Sequence, residues 1–124
     1  MTNLPAIIIE DDQKLAVIFA EALRMAAFEP EIVRDGNNAL ARLLDVEPAV
    51  VVLDLHLPNV SGRDILAQIR ADARLAKTPV IIATADPAMA DRLWSDADLV
   101  LIKPISFGQL RDLAARLRPP GPET

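Results

Sequence analysis

The chain contains no cysteine. That excludes a disulfide scaffold, a thiolate metal site and thiol chemistry. It contains a single histidine, His56, which excludes a multi-histidine metal centre. None of its four glycines stands in a G-x-G or G-K-[ST] pattern, so there is no glycine-rich phosphate loop. No apolar run approaches the ~20 residues that a membrane span needs. The opening MTNLPAIIIE lacks the basic start and cleavage site of a signal peptide. The expectation is a soluble, cytoplasmic protein with no membrane partner. Basic residues number 13 against 18 acidic ones, a formal charge of −5, and the arginines are scattered among acids at helical spacing. Counterion displacement needs clustered Lys and Arg, so no direct nucleic-acid binding is expected.

What is present fits one folded domain. The 124 residues are 52% apolar, enough for a real core and too apolar for disorder. Two kinds of segment alternate. Short β-branched runs occur at 5–9, 30–33, 49–53, 79–83 and 99–102, and such runs suit strands covered on both faces. The run at 30–33, short and flanked by charge, reads as an edge strand. Between them lie segments of helical period at 13–27, 36–45, 61–71, 87–95 and 106–117, the fourth short and weak. Leu15, Ile18, Phe19, Ala22 and Leu23 share a face that Met25 and Ala26 extend; Leu40, Leu43 and Leu44 form the next stripe. Asp12, Ser61 and Ser106 stand as N-caps. Five βα units imply a parallel sheet with helices on both faces. Residues 1–118 form the domain, and the Pro-rich 119–124 reads as an end or the start of a linker.

The charges fall at strand ends. Strand one runs into Glu10-Asp11-Asp12, strand three into Asp54, strand four into Thr84 and strand five into Lys103-Pro104. In a parallel sheet these ends share one edge, where ligands of open α/β folds bind. Carboxylates crowded there call for a hard divalent cation such as Mg²⁺. A lysine ammonium and a threonine hydroxyl suit phosphoryl oxygens, and a partly exposed carboxylate suits a phosphoryl acceptor.

The segments IIIEDD, VVLDLHLPNVSG, IIATA and LIKP, in that order, resemble the receiver domain of two-component response regulators over about residues 5–117. The resemblance implies a flavodoxin-like doubly wound sheet of order 2-1-3-4-5 with five helices. It implies Asp54 as phosphoacceptor, served by a sensor histidine kinase or phosphotransfer protein. It implies Glu10, Asp11, Asp54 and the backbone carbonyl of His56 around Mg²⁺, Asp11 directly and Glu10 mainly through water. Thr84 matches the switch hydroxyl and Lys103 the phosphate-facing lysine, with Lys103-Pro104 usually cis. The positions of His56 and Asp86 influence how long the phosphoryl group lasts. The output is a downstream protein target, with a homodimer a further partner, and no catalysis beyond the domain's own phosphorylation and dephosphorylation.

Three departures stand out. Val100 occupies the place of the family's usual Tyr or Phe, so the coupling route through that ring is absent or altered. Only 19 positions separate Thr84 from Lys103, fewer than usual, so the fourth helix is expected to be short or irregular. Pro104-Ile105 replaces the commoner Pro-Phe. These departures keep open a phosphorylation-independent interaction module of the same fold. An aspartate-nucleophile phosphatase ranks last, because its usual second Asp is here His56. Trp94, the sole tryptophan, is expected to pack on the short fourth helix.

Overall fold

The computed structural model describes residues 3–119, without the side chains of 92–94. The elements are β1 (Leu4–Ile9), α1 (Gln13–Met25), β2 (Phe28–Val33), α2 (Gly36–Asp45), β3 (Val50–Leu53), α3 (Gly62–Ala71), β4 (Val80–Thr84), α4 (Pro87–Leu93), a 3₁₀ turn (Trp94–Asp96), β5 (Leu99–Ile102) and α5 (Phe107–Leu117). The strands form one sheet of order β2-β1-β3-β4-β5, parallel throughout. Among the described residues no helix is long and apolar enough to cross a membrane. From residue 120 onward the Pro-rich tail lies outside the described residues, as does the packing of the Trp94 side chain.

The continuous apolar runs are explained by two cores, one on each face of the sheet. Side chains alternate across a strand. Ala6, Ile8, Val50, Val52, Ile81 and Ala83 therefore meet Phe19, Leu23, Leu110 and Ala114 of α1 and α5. Their neighbours Ile7, Ile9, Val51, Leu53, Val80 and Ile82 meet Leu43, Ile65, Leu66 and Ile69 of α2 and α3. Burying each such Val, Leu or Ile is worth about 1.5–3 kcal/mol, so neither face tolerates a polar residue before the strand ends.

Asp12, Ser61 and Ser106 cap α1, α3 and α5 as expected, each accepting from the N–H three residues on. The helical stripes are narrower than the sequence suggests. Ile18, Met25 and Leu44 are 42%, 66% and 75% exposed, because each sits at the margin of its apolar stripe. β2 begins two residues earlier than expected. Leu4 pairs with Phe28, whose buried ring anchors the strand, and Pro30 is tolerated because β2 is an edge. α4 is short, with seven residues before the 3₁₀ turn.

Candidate functional site

Asp54 is the first residue past β3, and the ladder still holds it. Its N–H donates to the Ile9 carbonyl at 2.9 Å. The His56 N–H donates to Asp54 Oδ1 at 3.1 Å, fixing the carboxylate at the sheet edge, where the residue is 4% exposed. The return of the chain into α3 presses on this same point. A Cβ at Gly62 would collide with the Asp54 carbonyl oxygen and the Leu55 Cα, so only glycine fits there.

Glu10 follows β1, its N–H donating to the Val33 carbonyl at 3.1 Å, and the residue is 1% exposed. Asp11 is exposed, and its carbonyl accepts from Arg34 Nη2 at 3.0 Å. Asp12 points away from the site to cap α1. Carboxylate oxygens of Glu10, Asp11 and Asp54 lie within 4.8 Å of one another.

Lys103 enters from the end of β5, its N–H bound to the Thr84 carbonyl at 2.8 Å and its peptide bond to Pro104 cis. Its Nζ donates to Glu10 Oε1 at 2.7 Å and lies 3.7 Å from Asp54 Oδ2. Burial pushes the Glu10 carboxyl up from its ordinary 4.5 to about 7; the Lys103 hydrogen bond opposes the rise and the Asp54 carboxylate adds to it. Glu10 and Asp54 share the Lys103 ammonium, which does not offset the cost of burying the Glu10 carboxylate. The donors are all oxygens, so the set fits a hard divalent cation that would supply the missing charge.

Thr84 is fully buried at the end of β4, and its Oγ1 accepts from the Asp86 N–H at 3.1 Å. The His56 side chain is 57% exposed, and its Nε2 lies 3.6 Å from Asp86 Oδ2. Val100 is partly buried and packs, with Met89 and Ala97, on the α2–α3 face of the core. The sheet edge therefore gathers Glu10, Asp11, Asp54, Thr84 and Lys103, with the three acids close together and Lys103 within reach of Glu10 and Asp54.

A sequence model of the response regulator receiver domain matches residues 6–115. The chain belongs to the response regulator receiver family. Among curated receiver-containing relatives, it is 39% identical over 115 residues to the sensory transduction protein RegX3 of Mycolicibacterium smegmatis, covering 90% of this chain and 48% of that one. It is 36% identical over 115 residues to the transcriptional regulatory protein TrcR of Mycobacterium tuberculosis, covering 90% and 43%. The chain thus spans less than half the length of these relatives. The chemotaxis response regulator CheY4 of Vibrio cholerae superposes with a TM-score of 0.85 over 94% of this chain and 99% of that one, at 22% identity, a likeness of fold.

Two contacts at this receiver's edge go beyond the sequence expectations. Arg34 stands directly after β2 and holds the carbonyl of Asp11. Its signal is that position, the counterpart on strand two of the charged residues at the other strand ends. Asp86 reaches both His56 and the start of α4, and nothing in the spacing signals that pairing.

Proposed function

We propose that Asp54 accepts a phosphoryl group from a phosphohistidine of a sensor histidine kinase or phosphotransfer protein. The observation that supports this most is the Lys103 ammonium held between the Glu10 and Asp54 carboxylates. An Asp54 carboxylate oxygen attacks phosphorus as the phosphorus–nitrogen bond of the donor breaks, and the imidazole leaves with the bonding pair. The His56 N–H on Oδ1 holds the carboxylate still during attack. Lys103 offers a point charge to the phosphoryl oxygens, and the Thr84 hydroxyl, which accepts from the Asp86 N–H and keeps its own hydrogen, donates to them. Glu10, Asp11, Asp54 and the backbone carbonyl of His56 would hold Mg²⁺. When bound, that ion neutralises the charge that gathers on the transferring oxygens.

The domain works in the cytoplasm and catalyses only its own phosphorylation and dephosphorylation. Its output is contact with a downstream protein, or with a second copy of the chain, rather than with nucleic acid. The alternative, an interaction module indifferent to phosphorylation, is not favoured, because it leaves the assembled acids and lysine without a purpose. Incubation with acetyl phosphate and Mg²⁺, followed by intact-mass measurement, tests the reading. One phosphoryl group is expected on the wild-type chain and none on Asp54→Asn. No adduct on the wild type, or an unchanged adduct on Asp54→Asn, overturns it.

A further inference from the structure

The peptide unit between Asp11 and Asp12 is gripped on both sides. Its carbonyl accepts from Arg34 Nη2 at 3.0 Å. Its N–H donates to Glu10 Oε2 at 3.3 Å, while the other oxygen of that carboxylate takes the Lys103 ammonium at 2.7 Å. Packing holds the other two acids of the sheet edge, since Glu10 is 1% and Asp54 4% exposed. Asp11 is exposed, on the bend between β1 and α1. Its side chain has no core around it, so its direction depends on how firmly its backbone is held.

Arg34 is well placed to do the holding. Val33 before it is buried, and the Val33 carbonyl accepts from the Glu10 N–H at 3.1 Å. Asp35 after it caps α2, its Oδ1 accepting from the Asn38 N–H at 2.9 Å. The Gly36 N–H then donates to the Pro58 carbonyl at 3.3 Å. The chain is thus fastened on either side of Arg34, which projects from a fixed point at the tip of β2. Its hydrogen bond goes to a main-chain carbonyl rather than to a carboxylate. It therefore fixes Asp11 without occupying the oxygens that a cation needs.

We propose that Arg34 is a positioning residue for the cation site, acting through the Asp11 carbonyl to hold the exposed Asp11 carboxylate beside those of Glu10 and Asp54. The inference rests on the Mg²⁺ site proposed above. A group that orients a metal ligand typically contributes about 10–100-fold to metal affinity. Arg34 also carries a positive charge, which repels a cation. Anchoring and repulsion act in opposite directions, and salt separates them. Screening weakens the repulsion between exposed charges and leaves the hydrogen bond in place.

Two measurements test the anchor, one without the cation and one with it. Arg34→Met removes donor and charge. Arg34→Lys keeps both, and one bond to a carbonyl does not require the planar fork of arginine. In cation-free protein, NMR order parameters of the Asp11 and Asp12 amides are expected to fall from about 0.85 to about 0.6 in Arg34→Met and to stay near wild type in Arg34→Lys. Wild-type amide protection across Val50–Leu53 shows that the fold is kept. Calorimetric titration with Mg²⁺ in about 0.5 M potassium chloride, where charges are screened within about 4 Å, should show affinity about tenfold weaker in Arg34→Met. At low salt the defect should shrink, because a repelling charge has left as well. Unchanged order at Asp11 and Asp12 in Arg34→Met overturns the anchor. So does wild-type Mg²⁺ affinity in that variant at high salt, or an Arg34→Lys variant no better than Arg34→Met. A wild-type chain that binds no Mg²⁺ counts against the cation reading alone, because the cation-free comparison still decides the anchor.

Discussion

The Lys103 ammonium donates to Glu10 Oε1 at 2.7 Å, a full ångström closer than its approach to Asp54 Oδ2. The lysine thus spends its charge on a buried acid and is near, but not bonded to, the proposed phosphoacceptor. It must shift only slightly to meet a phosphoryl oxygen on Asp54. Lys103→Met is therefore expected to slow labelling of Asp54 by acetyl phosphate by about a hundredfold, as loss of a transition-state donor does. Its Mg²⁺ affinity, measured by calorimetry above pH 7, should not weaken, since a positive charge has left the cation's surroundings. Labelling at the wild-type rate would remove Lys103 from the mechanism.

The raised Glu10 carboxyl makes the cation-free protein sensitive to pH. The unfolded chain keeps Glu10 near 4.5, whereas the folded chain holds its proton to about 7. Between those values the folded state binds more protons, so this group's contribution to stability falls as pH rises and is lost above about 7. Glu31 and Asp72, held low by Arg42 and Arg74, act in the opposite sense and only at more acid pH. With a chelator present, thermal melts should therefore decline from about pH 5.5 to 8. Mg²⁺ should flatten that slope, and Glu10→Gln should abolish it. A slope that Glu10→Gln leaves unchanged belongs to other groups.

The site was legible in the sequence wherever a buried apolar run stopped on a polar residue. Val50–Leu53 cannot be followed by a carboxylate unless the strand has ended, so Asp54 marks a tip, and parallel strands gather their tips. Lys103 likewise follows an apolar run, at the tip of the edge strand β5, although that run is only partly buried and Ile102 is 43% exposed. Which acid the lysine would choose was not legible, because it turns on a difference of one ångström between side chains from three strands. The exposure of Ile18, Met25 and Leu44 was hidden for a related reason. Periodicity gives the direction of a helical face, while the width of the buried stripe depends on what lies opposite. β2 hid its first residues because Glu29-Pro30 resembles a loop, and only an edge position makes such a strand tolerable. Asp86 was visible as a residue two places beyond Thr84, but its role as a cap depends on where the shortened α4 begins.

Gly62 ties the start of α3 to the carbonyl of Asp54. Its N–H donates to the Leu55 carbonyl at 3.2 Å, and the space for a Cβ is filled by the backbone of Asp54 and Leu55. Backbone cannot rotate aside as a side-chain tip can. Gly62→Ala is expected to lower stability by about 2–3 kcal/mol in urea unfolding, the upper range for overpacking. It should also displace Asp54 and slow its labelling in protein that is still folded. Stability within about 0.5 kcal/mol of wild type would show that α3 can move away without penalty.

Arg70, on the last turn of α3, joins three segments at the opposite edge of the sheet. Its guanidinium donates to the carbonyls of Thr78 and Asp96 at 2.8 Å, to that of Ala76 at 3.2 Å, and to Asp98 Oδ1 at 3.1 Å. The same Asp98 oxygen accepts from the Val80 N–H at 2.8 Å, so the entries to β4 and β5 are fastened together. The Arg70 side chain is 23% exposed, which keeps solvent screening modest. Removing a charged donor from several carbonyls typically costs about 2 kcal/mol, and that is the loss expected for Arg70→Ala in urea unfolding. Arg70→Lys keeps the charge but lacks the planar fork, so roughly half the loss should remain. Arg70→Ala and Asp98→Asn share the network, so their double variant should lose less than the two single losses added. Labelling of Asp54 in the folded variants should proceed at the wild-type rate, because the clamp lies at the far end of the strands. Full additivity in the double variant would mean that Arg70 and Asp98 act independently and that the network is a coincidence of placement.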